Sequence, residues 1–417
     1  MGYRERAILV VLYSPYDERW MKEDLINEVR ELAASSGADN KAEVIARKDK
    51  PEAAYYIGKG KVEEVSRLVR EHNADLVIFN EDLSPAQERN LEKETGVKVI
   101  DRTQLILDVF AQRAKSAEGK VQVELAQLEY LLPRLTGRGQ MLSRLGAGIG
   151  TRGPGEQKLE VDRRRIQERI LELKRKLRKI EERREILREK RRRNIIPTVA
   201  LVGYTNSGKS TLINALTGAQ QTVKDKLFST LDPKLKKLTL PNNQSVLIAD
   251  TVGFLHNLPH HLIESFKATL EEVIEANVLI HVLDASNPKV YELKDAVYEV
   301  LGQLNVMDKP IITVLNKIDK VNDKTIIDRF KKKIGDCISI SALYGENLNE
   351  LIAILTSKFK NLRTFIRLLI PHRKLSLLDT IHTKGQVIKR QYKPEGVYIE
   401  AEVPILLAKT LKSYLYH

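Results

Sequence analysis

The central part of the chain contains the loop Gly203-Tyr204-Thr205-Asn206-Ser207-Gly208-Lys209-Ser210, which matches the pattern Gly-x-x-x-x-Gly-Lys-Ser. An apolar, β-branched run at 197–202 precedes the loop, and a helical pattern at 211–216 follows it. A strand, a loop and a helix in this order form a phosphate-binding loop, because backbone N–H groups and the helix N-terminus surround the phosphate oxygens. We expect Lys209 to reach the β- and γ-phosphates of a nucleotide and Ser210 to bind Mg²⁺.

Further motifs follow in the order expected of a guanine-nucleotide site. An apolar strand ends in Asp250-Thr251-Val252-Gly253, where the acid can hold a metal-bound water and the glycine can sense the γ-phosphate. Another strand continues into Asn316-Lys317-Ile318-Asp319, and a third ends in Ser341-Ala342-Leu343. A carboxylate in the second motif can accept from both N1–H and the exocyclic amine of guanine, a donor pair that adenine lacks. The sequence therefore predicts GTP and GDP as ligands, with adenine nucleotides as the weaker alternative.

A candidate for the second hydroxyl ligand of Mg²⁺ lies between the phosphate loop and Asp250. The segment reads Phe228-Ser229-Thr230-Leu231-Asp232-Pro233. We choose Thr230, and we expect its loop to be held by the γ-phosphate and Mg²⁺ and released after hydrolysis. The predicted metal ligands are thus Ser210 and Thr230. The alternative is an ordinary threonine in a hairpin.

The group that activates the attacking water is left unassigned. Many GTPases carry a glutamine directly after the Asp-x-x-Gly motif, but Phe254 stands there and cannot hydrogen-bond water. We therefore expect slow intrinsic turnover, with the missing group supplied by a partner or a cation. Asn206 matches the asparagine with which potassium-activated GTPases coordinate K⁺, and the alternative is that Asn206 only shapes the loop.

The N-terminal hundred residues predict a second α/β unit. Short β-branched runs alternate with amphipathic segments from Ala7 to about Arg113, an order that favours a parallel sheet with helices on its faces. We interpret Gly58-Lys59-Gly60-Lys61 as a turn at the start of a helix, with a phosphate loop as the alternative. The segments lie at 8–13, 22–34, 42–46, 61–71, 76–79, 85–94 and 97–100.

Heptad spacing replaces this alternation between Gln122 and Arg193 and predicts two helices around a loop. We expect the first helix to be the antiparallel partner of the second. The segment 158–193 holds 17 basic and 8 acidic residues, a net charge of +9, which is either a solvated coiled-coil face or a surface for RNA. The apolar positions are Leu125, Leu128, Leu132 and Leu135 in the first helix, and Leu159, Ile166, Ile170, Leu173, Leu177, Ile180 and Leu187 in the second.

The loop at 137–155 contains seven glycines, three arginines and no acidic residue. A loop of this length is either a linker or a functional element, and a basic one could enter a crevice of a large anionic partner. We expect the RNA-facing residues to be Arg138, Arg144, Arg152, Arg191, Arg192 and Arg193.

Composition excludes several classes of protein. The net charge of +14 favours polyanionic partners, and the single cysteine, Cys337, excludes a disulfide framework and a cysteine-based zinc ribbon. We interpret Cys337 as a buried small hydrophobe, and His256, His260 and His261 as surface or gating residues rather than a zinc site. No apolar run reaches the roughly 18 residues that span a bilayer, and the N-terminus lacks a signal pattern. We therefore expect a cytoplasmic protein without membrane insertion.

The predicted architecture is α/β with four parts. They are an N-terminal parallel α/β domain (1–115), a helical hairpin (116–194), a P-loop GTPase domain (195–361) and a small C-terminal α/β domain (362–417). In the last part, strands are predicted at 365–370, 387–392 and 397–403, and a helix at 375–382.

These motifs together resemble the HflX family of ribosome-associated GTPases. The resemblance covers nearly the whole chain, and its specific part is the segment Gly153-Pro154-Gly155-Glu156 beside the Asp-Thr-Val-Gly-Phe motif that ends at Phe254. It implies a GTPase that binds the large ribosomal subunit as a monomer and splits stalled or idle ribosomes, with the glycine-rich loop reaching ribosomal RNA. It also implies use of ATP through the N-terminal domain, although the sequence has no second phosphate loop. The alternative is an RNA-binding ribosome assembly factor in which hydrolysis is incidental.

Overall fold

The structure is a computed structural model of the chain. It describes residues 4–16, 20–47, 51–135, 154–193, 196–218, 228, 234–255, 259 and 267–416, of which 154–159, 192–193 and 267–269 are described by their backbone alone. The chain divides into two compact units, and the boundary falls inside a long helix, between Glu182 and Arg183. The last turns of that helix belong to the second unit, and the predicted division into four parts stays a prediction.

The N-terminal part forms a parallel sheet covered by helices. Among the described residues its strand order is β2-β1-β3-β4, and each pair of neighbours is parallel. The central strand β1 is buried at nearly every position, which explains its continuous apolar run. The elements are β1 (Arg6–Tyr13), α1 (Lys22–Ser36), β2 (Asp39–Arg47), α2 (Lys59–His72), β3 (Leu76–Phe79), α3 (Pro85–Thr95), β4 (Lys98–Ile100) and α4 (Arg102–Arg113).

Two local features of this part bear on the sequence predictions. Gly58 is the N-cap of α2, so the interpretation of Gly58-Lys59-Gly60-Lys61 as the start of a helix is confirmed. Helix α4 was not among the predicted segments. It begins after Asp101, whose side chain accepts a hydrogen bond from the backbone N–H of Gln104 and caps the helix.

The middle region consists of two helices, α5 (Ala117–Leu135) and α6 (Pro154–Arg193), as the heptad spacing predicts. Arg169 bonds Glu124 at 2.7 Å, and Lys174 bonds Glu129 at 2.7 Å. These pairs advance in the same direction along both helices, whereas an antiparallel pair would advance in opposite directions. The expectation of an antiparallel hairpin is therefore wrong for this contact. A heptad pattern carries no information about direction, because the apolar stripe is the same in both cases.

The apolar seam between these helices is shorter than the heptad pattern. Leu125, Ile170 and Leu173 are buried in it, but Leu187 is 59% exposed. At 1.5 Å per residue α5 is about 28 Å long and α6 about 60 Å, so α5 covers less than half of its partner. The heptad positions beyond the end of α5 consequently have no partner within that pair.

A buried polar network joins α5 to the N-terminal sheet. The carboxylate of Asp101 accepts hydrogen bonds from the backbone N–H groups of Gln104 and Leu83, at 2.9 and 3.1 Å. From α5, Tyr130 donates its hydroxyl to the same carboxylate, and a guanidinium nitrogen of Arg134 lies 3.1 Å from it. Burial raises the pKa of Asp101, and the hydrogen bond from Tyr130 opposes this shift. The network orients α5 through an acid with no exposed side-chain surface.

The second unit contains a mixed sheet with strand β5 at its centre. Among the described residues the order is β10-β9-β8-β5-β7-β6, and β6 alone is antiparallel to its neighbour. Apolar residues from α7 and α11 cover this sheet. The elements are β5 (Thr198–Val202), α7 (Lys209–Thr217), β6 (Lys234–Thr239), β7 (Ser245–Asp250), α8 (Lys267–Glu275), β8 (Val278–Asp284), α9 (Val290–Gln303), β9 (Ile311–Asn316), α10 (Lys324–Ile334), β10 (Cys337–Ser339) and α11 (Leu348–Lys358).

The same unit ends in an antiparallel sheet of order β11-β13-β12, with helices against one face. Asn243, in the turn between β6 and β7, donates hydrogen bonds to the carbonyl oxygens of His382 and Gly385, at 3.0 and 2.9 Å. This amide joins the C-terminal part to the central sheet. The elements are β11 (Arg363–Ile370), α12 (Ser376–Lys384), β12 (Gln386–Lys393), β13 (Gly396–Pro404) and α13 (Ile405–Thr410).

The predicted α/β class is confirmed, with a parallel N-terminal sheet, a helical middle region, a P-loop domain and a further sheet at the C-terminus. Within the described ranges, no helix is both long and apolar enough to cross a membrane.

Replacing Arg134 by alanine tests the Asp101 network. We expect the variant to lose about 3–5 kcal/mol of unfolding free energy, because it leaves a buried carboxylate without its cation. Urea unfolding of the full chain measures the change. The matched control is Arg165→Ala, which removes a guanidinium that lies 3.9 Å from Asp162 and is 76% exposed, and should cost at most about 1 kcal/mol. Equal effects of the two changes would contradict the assignment.

Candidate functional site

Loops at one edge of the central sheet bring the predicted motifs together. The phosphate loop follows β5, the Asp-x-x-Gly motif follows β7, and the Asn-Lys-x-Asp motif follows β9. The loop at Ser341 follows β10. Because these strands are parallel, their carboxyl ends lie at the same edge, which is where open α/β sheets bind ligands.

The phosphate loop needs glycine at both ends of its pattern. Gly203 has φ 156°, and a Cβ atom there would lie 2.4 Å from the carbonyl oxygen of Val282. Gly208 has φ 93°, and a Cβ atom there would lie 2.2 Å from the side-chain nitrogen of Asn316. Any larger residue would thus push the loop away from two neighbouring strands. Asn206 is exposed and left-handed at φ 62°, a conformation that asparagine tolerates better than most residues.

Lys209 lies across this loop. Its ammonium donates hydrogen bonds to the carbonyl oxygens of Gly203 and Tyr204, at 2.9 and 2.7 Å. Burial lowers the pKa of Lys209 to about 8, and the nearby carboxylate of Asp250 opposes this shift. Among the described residues, the hydroxyls of Thr205 and Ser207 are buried and lack a hydrogen-bond partner. A buried amine with a lowered pKa and unsatisfied hydroxyls indicate a site built for an anionic ligand.

The metal position predicted at Ser210 has a suitable set of donors. The hydroxyl of Ser210 donates to a carboxylate oxygen of Asp250 at 2.8 Å. This contact places a hydroxyl and a carboxylate side by side, and hard oxygen donors of this kind fit Mg²⁺. The second predicted ligand, Thr230, lies outside the described residues, as do Ser229, Leu231 and Asp232.

The Asp-x-x-Gly motif is held against the phosphate loop by backbone hydrogen bonds. The N–H of Phe254 donates to the carbonyl oxygen of Gly203 at 3.1 Å, and the N–H of Thr205 donates to the carbonyl oxygen of Phe254 at 2.9 Å. A Cβ atom at Gly253 would lie 2.8 Å from the methyl carbon of Thr205, so glycine is required at this contact. The side chain of Phe254 is 1% exposed. Its ring therefore lies in the core and presents no polar atom to a water molecule.

Two residues of this motif, Thr251 and Val252, were predicted to contact nucleotide, which stays a prediction. The hydroxyl of Thr251 donates to the carbonyl oxygen of Leu201 at 2.5 Å, and Val252 is buried. Both side chains are buried at the end of the strand. Phe228, which was also expected at the nucleotide, packs edge-to-face on Phe110 of α4 with ring centroids 4.6 Å apart. An aromatic side chain in this segment prefers an apolar partner to a charged ligand.

Asn316 joins two loops of the site. Its amide nitrogen donates to the carbonyl oxygen of Ser207 at 2.9 Å, and its amide oxygen accepts from the N–H of Ala342 at 3.0 Å. The residue is 2% exposed. These contacts join the phosphate loop to the loop after β10, and the selection of guanine by Asn316 together with Asp319 stays a prediction.

Asp319 remains the candidate for base selection. It is exposed, and one of its carboxylate oxygens accepts a hydrogen bond from the hydroxyl of Ser341 at 2.5 Å. Ser341 is fully buried and thus orients the carboxylate. Lys317 forms an ion pair of 2.7 Å with Asp284, at the end of β8. The sequence analysis missed Asp284, although an acid at the end of a buried strand in this sheet was a usable signal.

Among the predicted RNA-facing residues, the structure describes the side chain of Arg191. Arg191 is half-buried and lies 3.2 Å from the carboxylate of Glu272 in α8, and its contact with RNA stays a prediction. The side chains of Arg192 and Arg193 lie outside the described part, as do Arg138, Arg144 and Arg152. The same holds for His256, His260 and His261.

Cys337 is half-buried rather than buried. It packs beside an apolar cluster that includes Phe330, and burial raises the pKa of its thiol. The thiol is therefore protonated and packs as a small hydrophobe, as the sequence analysis expected.

Stability as a function of pH tests the burial of Lys209. Its pKa is about 8 against an ordinary value of 10.5, so between these values the unfolded chain binds more protons than the folded chain. The free energy of unfolding of the nucleotide-free protein should consequently rise through this window, by roughly 3 kcal/mol at 1.36 kcal/mol per unit. Urea unfolding near pH 8 and pH 10 measures this rise in unfolding free energy. The variant Lys209→Met should abolish the rise. The control Lys409→Met, at an exposed lysine, should retain it. Identical pH dependence of the unfolding free energy in all three proteins would contradict the lowered pKa of Lys209.

Replacing Asp319 by asparagine tests base selection. The asparagine amide is neutral and has one acceptor oxygen, so it cannot accept both hydrogen bonds that the charged carboxylate accepts from guanine. We expect GTP affinity to fall about tenfold to a hundredfold. Affinity for xanthosine triphosphate should rise, because the amide can donate to its extra carbonyl oxygen. Fluorescent nucleotide titration measures both. The matched control is Asp323→Asn, which alters the N-cap of α10 and retains a good capping residue. Unchanged GTP affinity in the Asp319 variant would remove this residue from the site.

Comparison with known protein families covers most of the chain. Residues 23–111 match a family model described as GTP-binding GTPase N-terminal, and residues 113–191 match GTP-binding GTPase Middle Region. Residues 198–317 match a third model, described as 50S ribosome-binding GTPase. The matches follow one another in the order of the structural parts described above.

Curated relatives extend over nearly the full length. The chain is 45% identical to "GTPase HflX" of Caldanaerobacter subterraneus, with 99% of this chain and 94% of the relative covered. It is 40% identical to "GTPase HflX" of Escherichia coli, with coverages of 96% and 94%. A solved GTP-binding protein from Sulfolobus solfataricus in complex with GDP is 27% identical, covers 85% of this chain and 99% of its own, and has a TM-score of 0.43. The family models and full-length relatives thus agree, and the chain belongs to the HflX family of GTPases.

Proposed function

We propose that this GTPase binds the large ribosomal subunit and uses GTP binding and hydrolysis to control ribosome association, splitting stalled or idle ribosomes. The observation that carries the proposal is the match of residues 198–317 to the 50S ribosome-binding GTPase model, in a chain whose long helix α6 is strongly basic. A basic element of this kind favours a polyanionic partner such as ribosomal RNA. In this proposal the protein acts as a monomer in the cytosol, where ribosomes are found.

Each residue of the site has a proposed part in the GTPase cycle. Lys209 exchanges its hydrogen bonds to the loop carbonyls for the β- and γ-phosphates, and the phosphate charge raises its pKa again. Ser210 and Asp250 hold the Mg²⁺ site, together with Thr230. Mg²⁺ would supply neutralisation of the phosphate charge. Gly253 senses the γ-phosphate, because its close contact with Thr205 leaves no room for a displaced backbone.

The base end of the site completes the proposal. Asp319, oriented by Ser341, accepts hydrogen bonds from guanine, while Asn316 keeps the phosphate loop and the base loop in register. An additional activity on ATP through the N-terminal domain stays a prediction, and no residues are assigned to it.

The position of Phe254 favours slow turnover without a partner. Its ring is buried in the core, so the group that orients water must come from the ribosome or from a cation. Asn206 is the candidate K⁺ ligand, and its left-handed backbone equally supports a role in shaping the loop. The buried ring of Phe254 also fits the second candidate function, in which the protein is an RNA-binding assembly factor and hydrolysis is incidental.

Steady-state GTP hydrolysis with purified ribosomal subunits tests the proposal. We expect large subunits to raise the turnover rate about a thousandfold or more, because they supply the group that Phe254 lacks, and small subunits to have little effect. Light scattering should show GTP-dependent dissociation of intact ribosomes. Unstimulated turnover combined with tight RNA binding would overturn the proposal in favour of the assembly factor.

Comparing K⁺ with Na⁺ buffers in the same assay separates the two roles of Asn206. The variant Asn206→Gly keeps a residue that adopts positive φ and removes the amide. Loss of a K⁺ requirement in this variant would assign the amide to cation binding. Unchanged turnover in both salts would assign Asn206 to the shape of the loop.

A further inference from the structure

The C-terminal sheet has a strongly basic end that the GTPase site does not use. Residues 362–417 hold ten basic and four acidic residues, a net charge of +6. At the end of the sheet where β11 and β12 finish, three short segments meet, and we call them the basic tip. They are residues 372–374, residues 390–393 and residues 412–416.

Contacts between these segments show that the basic tip is one surface. A ring nitrogen of His372 lies 3.2 Å from the carbonyl oxygen of Lys393, and the ammonium of Lys374 donates to the hydroxyl of Tyr414 at 2.6 Å. The ammonium of Lys393 donates to the hydroxyl of Tyr416 at 3.1 Å. Five residues from three segments of the chain are thus held together.

Each tyrosine of the basic tip has a cation over its ring. Arg390 lies 4.8 Å from the ring centroid of Tyr392, and Lys393 lies 4.4 Å from that of Tyr416. Lys374 lies 5.3 Å from that of Tyr414. Tyr392 is 70% exposed and Tyr416 is 41% exposed. The aromatic surfaces therefore remain accessible although cations accompany them.

The cations of the basic tip differ in their partners from several cations of α6. Within the described ranges, no carboxylate lies at ion-pair distance from Lys374, Arg390 or Lys393, whereas in α6 Arg169 and Lys174 each bond a glutamate. The acid Glu402 lies opposite Phe365, toward the other end of the strands. The positive charge of the tip is consequently available to an anion.

We propose that the basic tip binds single-stranded or looped RNA, with bases stacked on Tyr392 and Tyr416 and phosphates paired with Lys374, Arg390 and Lys393. Accessible aromatic rings alternating with unpaired cations suit a nucleic-acid strand, since every base offers a π-face and every linkage a negative charge. An acidic peptide would use the cations but leave the exposed rings unused. The RNA assignment rests on these contacts, and only the identification of that RNA as ribosomal rests on the proposed function.

The test is fluorescence anisotropy of the full chain with a labelled single-stranded RNA of about ten nucleotides. We expect Tyr392→Ala and Tyr416→Ala to weaken binding about tenfold each, and Tyr392→Phe to retain it, because a phenyl ring still stacks. Lys393→Gln should weaken binding and reduce the slope of log affinity against log salt by about one. The matched control is Tyr16→Ala, at an N-terminal tyrosine that is 86% exposed, and it should bind like the unmodified chain.

Because other basic segments can also bind RNA, crosslinking locates the contact. An RNA carrying 4-thiouridine, crosslinked to the full chain, should yield modified peptides that contain Tyr392 or Tyr416. Crosslinks confined to other segments, or unchanged affinity of both alanine variants, would overturn the proposal. The proposal would also be overturned if the alanine variants lost binding to polyglutamate but kept binding to RNA. Neither measurement uses ribosomes or hydrolysis, so its failure is distinct from failure of the proposed function.

Discussion

One buried amide holds the nucleotide site together. Asn316 bonds Ser207 in the phosphate loop and Ala342 in the loop after β10, so a single side chain sets the distance between the phosphate and base ends. The glycine at position 208 is a consequence, since a Cβ atom there would lie 2.2 Å from that amide. Burial makes these hydrogen bonds costly to break, because the amide would lose its partners without gaining water. The phosphate loop and the loop after β10 are thereby joined without a bound ligand.

Several polar groups of this site reduce the stability of the nucleotide-free protein. Lys209 has a pKa lowered by burial, and the hydroxyls of Thr205 and Ser207 lack partners among the described residues. These features cost stability in the nucleotide-free protein, and a triphosphate would offset the cost by supplying charge and acceptors. The ammonium and hydroxyl groups that destabilise the nucleotide-free protein are therefore the groups that would bind the phosphates. We therefore expect nucleotide binding to stabilise the second unit.

Net charge alone does not locate an RNA-binding surface in this protein. Helix α6 carries the largest excess of basic residues, and three of its 17 basic residues, Arg169, Lys174 and Arg191, bond glutamates. The basic tip has fewer cations, and they lie on tyrosine rings instead of carboxylates. Ion pairs within a protein reduce the charge that a partner experiences, whereas cation–π contacts leave it intact. For an RNA partner, the cations that form no ion pair within the protein matter more than the total number of basic residues.

The sequence by itself determined the α/β class, the phosphate loop and the order of the nucleotide motifs, because these depend on local spacing and on chemistry that few residue types supply. Tertiary structure alone decided the common direction of α5 and α6, the packing of Phe228 on Phe110 and the burial of Arg191 against Glu272. It also gave Asn316 its joining role. Each of these depends on residues distant in sequence. A periodic pattern specifies which face of an element is apolar or charged, but its partner is selected by the packing of the whole chain.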